Sequence, residues 1–499
     1  MPSLKRKVYS APQDEPLNPG TRNATAYAVE TYADQAVAET AANEKLTDAM
    51  PLASMRLAEP AHTRVRRYLP VSTKFVLSMV FAALWTAVSL YFARGWYVEF
   101  SPRVGAAVAI FLIGFIAIVP GFQNAFMLAS LFMDRRPQRR KLAEYPGVTI
   151  LIAAYNEEER IYDTLLSIDR QAYPGPLEVI VINDGSRDRT GEIVRRALVA
   201  CPWLHLIDVQ PNAGKANALN RGLAQARYDL VVTLDADSYL YKDALQNLVE
   251  RFRQDPANTV AVAGTILIRN SRSNWITKVQ EWDYFHGIAA AKRVQSLYQG
   301  TLVAQGAFSL YQRDVLREVG GWPDCVGEDI VLTWAILKRG YRVGHCEDAC
   351  VFTHAPDTLR QFVRQRQRWS RGMIEAFKVH PGILLQPRLS TFFIYWNLLF
   401  PLLDIAYSFG FIPGLILAAL GYYWIAGPMT LLLLPMAFMM NFFMFSIGSK
   451  MFDAQGLRVR RNISGFIVYA LGYSFILQPA CVFGYLSELL YLRKSWGTK

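Results

Sequence analysis

Apolar residues in this chain collect into long unbroken runs toward its two ends and into short runs, spaced by polar stretches, in its middle. The runs at residues 75–93 and 106–133 are each long enough to cross about 30 Å of hydrocarbon as helices. Only Arg94, Glu99 and Arg103 carry charge between them. Past Leu389 the long runs return, at 392–425, 429–445 and 463–490. The first of these holds Pro401 and Pro413 and therefore reads as a kinked helix, or as an interfacial piece followed by a span. Residues 147–381 look different. The segments 148–154, 178–183 and 230–235 are nearly all apolar, as parallel strands covered on both faces are, and a helix-like stretch follows each. That alternation predicts a doubly wound α/β domain with a mostly parallel sheet, inserted between transmembrane helices, with its ligand crevice at the carboxyl ends of the strands. Residues 1–70 carry Pro, Ala, Thr and Glu without sustained periodicity and are expected to be a disordered tail. The expected organisation is a tail over 1–70, two membrane helices over 71–134, the α/β domain over 147–381, and an interfacial helix plus about three membrane helices over 382–492.

Composition agrees with a chain partly in lipid, since 52% of its 499 residues are hydrophobic. A net charge of +12 would allow a nucleic-acid partner. The basic residues, however, sit beside the apolar runs: Arg64, Arg66, Arg67 and Lys74 before the first, Arg135, Arg136, Arg139, Arg140 and Lys141 after the second. This is the positive-inside distribution rather than a nucleic-acid footprint, and it places the tail and the 147–381 domain in the cytoplasm. Lys450, Arg458, Arg460 and Arg461 make the link before the last run cytoplasmic as well. Five spans then leave the C-terminus outside, whereas Arg493, Lys494 and Lys499 favour a sixth. Five unevenly spaced cysteines argue for reduced thiols. His345, Cys346, Cys350 and His354 lack the usual zinc-knuckle spacing. They read instead as a strand and turn around Val351 and Phe352, with His354 able to reach toward a metal-bound group from a strand end.

The chemistry sits at the strand ends. Strand 148–154 runs into Tyr155, Asn156 and Glu157, where backbone and polar side chains can receive a base and ribose, or simply make a turn. Asp184 ends the next strand and can accept a hydrogen bond from a uracil imide; a helix N-cap is its ordinary alternative. Lys215 follows Gly214 at a helix start. The G-x4-G-K spacing of a P-loop is absent, but a point charge beside helix-end amides suits an anion. Asp235 and Asp237 leave room for one Mg2+ or Mn2+ that shares its shell with substrate phosphates. Asp329 heads a helix over 329–338, where the dipole keeps a carboxylate ionised, and is the candidate base for a sugar hydroxyl; Glu328 and Asp324 are the other candidates. Gln365, Arg368 and Trp369 fall at i, i+3 and i+4 and share a helical face. Arg368 can reach diphosphate oxygens and Trp369 can stack on a sugar. The outer arginines Arg364, Arg366 and Arg371 are expected to rest on anionic lipid head groups.

In this order the residues resemble the family 2 glycosyltransferases, specifically the processive membrane synthases of cellulose, chitin, hyaluronan and poly-N-acetylglucosamine, over roughly residues 75–490. The resemblance implies a GT-A fold, a UDP-sugar donor, a divalent cation, inversion to a β-linked product and extrusion through the enzyme's own helices. It gives Asp184 the uridine, Asp235 and Asp237 the metal, Asp329 the base, and Gln365, Arg368 and Trp369 the Q-x-x-R-W signature; Gln305 and Gly306, in the stretch that reads QGAFS, match the acceptor loop. Glu328 joins the acceptor side, and Tyr155, Asn156, Glu157 and Lys215 the donor side. The base motif reads Gly-Glu-Asp where many relatives have Thr-Glu-Asp, and a built-in cyclic-dinucleotide module is not expected. The number of spans is closest to the poly-N-acetylglucosamine group, so UDP-N-acetylglucosamine is the expected donor and a bacterial inner membrane the expected location. Growing polysaccharide, lipid and accessory secretion subunits are the expected partners. Asp404, charged within an apolar run, either faces a polymer channel or caps a Pro-broken turn. Two other readings stand beside this one. Transfer of one sugar to a lipid carrier is disfavoured by Q-x-x-R-W and the C-terminal spans, and a non-catalytic export or scaffold subunit is disfavoured by the intact acidic motifs.

Overall fold

A computed structural model describes residues 69–134, 139–427, 438, 441–446, 448–450, 453 and 462–492. Nearly all of the expected tail, the basic residues Arg64, Arg66, Arg67, Arg135, Arg136, Arg458, Arg460, Arg461, Arg493, Lys494 and Lys499, and most of the run 429–445 lie outside them.

Helix α1 (Val71–Val104) is longer than its apolar run. The charges at its C-terminal end do not stop it because Arg103 turns back one helical turn, its Nη1 donating to the Glu99 backbone oxygen at 3.1 Å and to Oε1 at 3.4 Å. Helix α2 (Ala106–Met133) matches the expected run and contains a π-helical turn at Gly114–Ile118, just before Pro120, whose missing N–H cannot continue an α-helical ladder.

The central domain follows as β1 (Val148–Ala154), α3 (Ile161–Asp169), β2 (Leu177–Asp184), α4 (Thr190–Leu198), β3 (Leu204–Val209), α5 (Lys215–Gln225), β4 (Leu230–Leu234), β5 (Tyr239–Leu240), α6 (Ala244–Gln254), β6 (Thr259–Ile268), α7 (Trp275–Asp283), a π-helical segment (Tyr284–Ala291), α8 (Lys292–Leu297), β7 (Phe308–Gln312), α9 (Arg313–Val319), α10 (Glu328–Lys338), β8 (Arg342–Thr353) and α11 (Leu359–Val379). The sheet order is β3-β2-β1-β4-β7-β6-β8-β5. Parallel pairing joins β3, β2, β1 and β4, and also β6 and β8. Strands β7 and β5 run the other way, so the sheet is mixed where uniform parallel alternation would have made it one-directional. This has a use: β7 begins at the edge where β4, β6 and β8 end, and so carries residues 305–307 to the same edge.

Alternation along β1 explains why its residues are uniformly apolar. Ile150 and Ile152 pack with Ile161, Leu165, Leu245 and Leu248 on one face, while Leu151 packs with Leu219 and Leu223 on the other. The second cluster continues through Tyr298, Val331 and Trp334 to Phe126 of α2 and to Phe393 and Trp396 of α12 (Leu389–Ala419). The domain core and the apolar helices are one packed body. Tyr298 adds a polar tie, meeting Ser78 of α1 at 3.2 Å and Ser130 of α2 at 3.0 Å.

Among the described residues, α1, α2 and α12 are long and apolar enough to cross a membrane. The expected run 463–490 is two helices, α13 (Ile463–Gly472) and α14 (Ser474–Leu489), bent by 53° and amounting to a fourth span if taken together. On α14, Gly484 lies so close to α11 that a Cβ there would meet Ser370 Oγ at 2.0 Å and the Gln367 backbone oxygen at 2.4 Å.

Candidate active site

The carboxyl ends of β1, β4, β6 and β8, the loop before β7, the start of α10 and one face of α11 enclose a cleft of about 560 Å³. Most of the expected site residues line it: Glu157, Lys215, Asp235, Asp237, Gln305, Gly306, Glu328, Asp329, Gln365, Arg368 and Trp369. Three do not. Tyr155 is exposed beyond β1. Asn156 ties two loops together, its N–H donating to Ser186 Oγ at 3.0 Å and its Oδ1 accepting from the Arg187 N–H at 2.9 Å. Asp184 is 3% exposed and accepts the N–H groups of Ala213 and Gly214 at 2.9 and 2.8 Å, fixing the turn that launches α5 and Lys215.

Lys215 is the centre of charge. Its Nζ donates to Asp235 Oδ1 at 2.6 Å and lies 3.6 Å from Glu328 Oε1. Burial opposes its charge, but Asp235, Glu328 and Asp329 outweigh that and raise its pKa. Gly306 makes this approach possible, because a Cβ there would stand 2.9 Å from Nζ. Asp237 accepts from Thr353 Oγ1 at 3.3 Å. Burial, then Asp235 and Glu157, push its carboxyl up to about 6 against the pull of Arg160 and Thr353. Asp235 is paired with Lys215 while Asp237 is poorly compensated by the protein, and two such carboxylates one residue apart are hard oxygen donors suited to a divalent cation. The His354 ring Nδ1 is buried without a hydrogen-bond partner, and burial lowers the pKa of its imidazole; among the described residues no group of three or more His, Cys, Asp or Glu side chains is arranged to hold a metal ion.

At the opposite wall, Glu328 and Asp329 are the first two residues of α10. Burial raises the Glu328 carboxyl to about 7, with Asp329 adding to it and Lys215 and Arg368 opposing. Asp329 is half-buried, and its Oδ1 accepts from the Ile330 N–H at 2.7 Å. Asp324, the third candidate base, is exposed and outside the cleft. Thr358 caps α11 by accepting from the Gln361 N–H at 3.3 Å, and the helix then presents Gln361, Gln365, Arg368 and Gly372 along one stripe to the cleft. Gln305 Oε1 and Gln365 Oε1 are buried atoms with no partner, acceptors available for hydroxyl groups. Trp369 is 40% exposed at the rim.

The arginines flanking Trp369 correct an expectation. Arg366 and Arg371 are buried rather than laid on lipid, because each finds an acidic partner inside the protein: Asp283 Oδ2 lies 2.8 Å from Arg366, and Glu488 Oε2 accepts from Arg371 Nε at 2.8 Å. Arg364 is exposed. The Arg366 guanidinium also stacks on the Trp369 ring, 4.2 Å from its centroid. Asp404 accepts from Tyr485 Oη at 2.8 Å. His345 is buried on β8 with its Nδ1 3.1 Å from the Ala263 oxygen, and Cys346 and Cys350 are buried on the same strand.

Sequence reasoning missed Arg160, Tyr284 and Lys292, which also line the cleft. Lys292 is 7% exposed and donates to the Val303 oxygen at 2.5 Å; burial lowers its pKa to about 7, with Asp329 opposing. Its sequence signal is an ordinary lysine in a polar helical stretch.

Residues 149–320 match the profile described as Glycosyl transferase family 2. A poly-beta-1,6-N-acetyl-D-glucosamine synthase of Staphylococcus aureus (strain COL) is 39% identical over 230 residues, covering 46% of this chain and 55% of that protein. The Staphylococcus epidermidis protein of the same name is 34% identical over 272 residues, covering 52% and 65%. The chain thus spans between about half and two-thirds of the length of these relatives. Among solved structures, a mannosyltransferase of Pyrobaculum calidifontis in complex with GDP-Man and Mn2+ superimposes with a TM-score of 0.54 at 20% identity, covering 78% of this chain and 99% of that one. That likeness shows a GT-A-type fold.

Proposed function

We propose that the chain, whose residues 149–320 match the Glycosyl transferase family 2 profile, is a processive, inverting β-glycosyltransferase that adds sugar units from a UDP-sugar, UDP-N-acetylglucosamine foremost, to a growing polysaccharide. In this reading the cleft faces the cytoplasm of a bacterial cell and the product leaves through the apolar helices. One observation carries it: a paired-carboxylate end, a buried lysine, a helix-heading carboxylate and the Gln365/Arg368/Trp369 face converge on one cleft, on a domain packed as one body with membrane-length helices.

Asp235 and Asp237 would hold Mg2+ or Mn2+, which would neutralise charge on the departing diphosphate. Lys215 and Arg368 supply the protein's own positive charge to the same phosphates. Asp329 accepts the proton of the acceptor hydroxyl as that oxygen bonds to the sugar's anomeric carbon and the carbon–phosphate-oxygen bond breaks on the opposite face, releasing UDP. Gln305, Gln365 and Trp369 orient the acceptor, Trp369 by stacking. Asp184 supports the donor end by fixing the turn before Lys215, and Tyr155, Asn156 and Glu157 shape the loop beside it.

The purified chain given labelled UDP-N-acetylglucosamine and Mn2+ is expected to yield a ladder of long products, and Asp329→Asn to bind UDP normally while losing product by at least about 1000-fold. A lone sugar on lipid would replace processive synthesis by single transfer, and undiminished product from the Asn variant would remove Asp329 from the base role.

A further inference from the structure

Glu375 lies on α11 two turns past Arg368, and thus on the same helical face, but below the cleft rather than in it. It is 3% exposed, and its Oε2 accepts the backbone N–H of Gly327 at 2.8 Å. Gly327 is the N-cap of α10, immediately before Glu328 and Asp329, and has no side chain with which to cap the helix itself. The two helices touch through bare backbone at this level. A Cβ on Gly372 would stand 2.7 Å from Gly327 Cα, and a Cβ on Gly327 would stand 2.6 Å from Gly372 Cα. On its far side α11 is held to α14, where Glu488 accepts from Arg371 Nε at 2.8 Å and from Lys378 Nζ at 3.1 Å.

We propose that Glu375 is a positioning residue that latches the first turn of α10 to α11 and so sets the separation between the Asp329 carboxylate and the Arg368 guanidinium. The inference rests on the transferase reading of Asp329. Arg368 is on α11 and Asp329 is one residue into α10, so the joint between the two helices bears directly on how far apart these groups stand. Glu375 and the Gly327–Gly372 contact hold that joint at the first turn of α10, and the Trp334–Phe377 ring pair, centroids 4.8 Å apart, holds it farther along. Glycine at 327 is what admits the close approach.

The role needs an acceptor oxygen at a fixed reach, which separates length from charge. Glu375→Gln keeps the reach and an accepting oxygen; Glu375→Asp keeps the charge but is one methylene short. In the full chain in lipid nanodiscs, the Gln variant is expected to hold kcat within about threefold, and the Asp variant to lose about 10- to 100-fold in kcat with donor KM and UDP affinity shifted less than about twofold. Hydrogen exchange of the Gly327–Asp329 amides should quicken about tenfold in the Asp variant and little in the Gln variant. Gly372→Ala, which keeps Glu375 and inserts a methyl into the joint, should give the same kcat-without-KM loss. Equal damage in the Gln and Asp variants overturns the proposal, as does unchanged amide exchange in the Asp variant whatever its activity. A wild-type chain that transfers no sugar while the exchange pattern holds sinks the transferase reading and leaves the latch standing.

Discussion

Asp237 offers a test with its sign and size worked from the structure. A divalent cation binds the ionised carboxylate, so protons compete with it. Asp237 sits among Asp235, Glu157, Arg160, Thr353 and His354, and its carboxyl is raised from 3.8 to about 6. At pH 5 only about a tenth of it is ionised, so Mn2+ affinity should be about tenfold weaker than at pH 8; at the ordinary value the same interval would change affinity by only about a tenth. The fold disfavours the charged form, which means that without cation this group contributes a loss of stability as pH climbs from about 4 to about 6, complete above that. Asp237→Asn avoids the loss and should be more stable above pH 6 by on the order of 3 kcal/mol without metal, yet gain nothing when metal is added. Free Mn2+ can be counted by electron paramagnetic resonance from pH 5 to 8 without nucleotide, whose phosphates would titrate in the same range, and melting can be followed in parallel. Equal affinities at pH 5 and 8 would refute the reasoning, as would an Asn variant no more stable than the wild type above pH 6 without metal.

Trp369→Ala should lower kcat/KM for the acceptor by about tenfold and shorten the product ladder while leaving UDP affinity intact, since the ring is half-exposed at the rim and fixed by Arg366; products of normal length would remove it from the acceptor site. Glu488→Leu strands Arg371 and Lys378 without their acidic partner, and should lower stability by about 3 kcal/mol, read as a drop in melting temperature in detergent; an unchanged melting temperature would show that the α11–α14 joint does not depend on this pair.

Periodicity alone decided which stretches are apolar helices and which are strands buried on both faces, because each is a property of neighbouring residues: the run 106–133 and the strand 148–154 appear in the structure with those bounds. Motif spacing likewise placed Asp235, Asp237, Asp329 and the Gln365/Arg368/Trp369 face, since a strand end and a helical face are local facts. Reversal of β7 was not legible, for strand direction depends on partners distant in the chain. Nor was the difference between an arginine on lipid and one in the core. Arg366 is drawn inward by Asp283, 83 residues before it, and Arg371 by Glu488, 117 residues after it. Lys292 joined the cleft only when α8 folded against the Val303 loop. Local chemistry named the reactive groups; burial and long-range pairing, which exist only once the chain is packed, decided which of them share a cleft and with what charge.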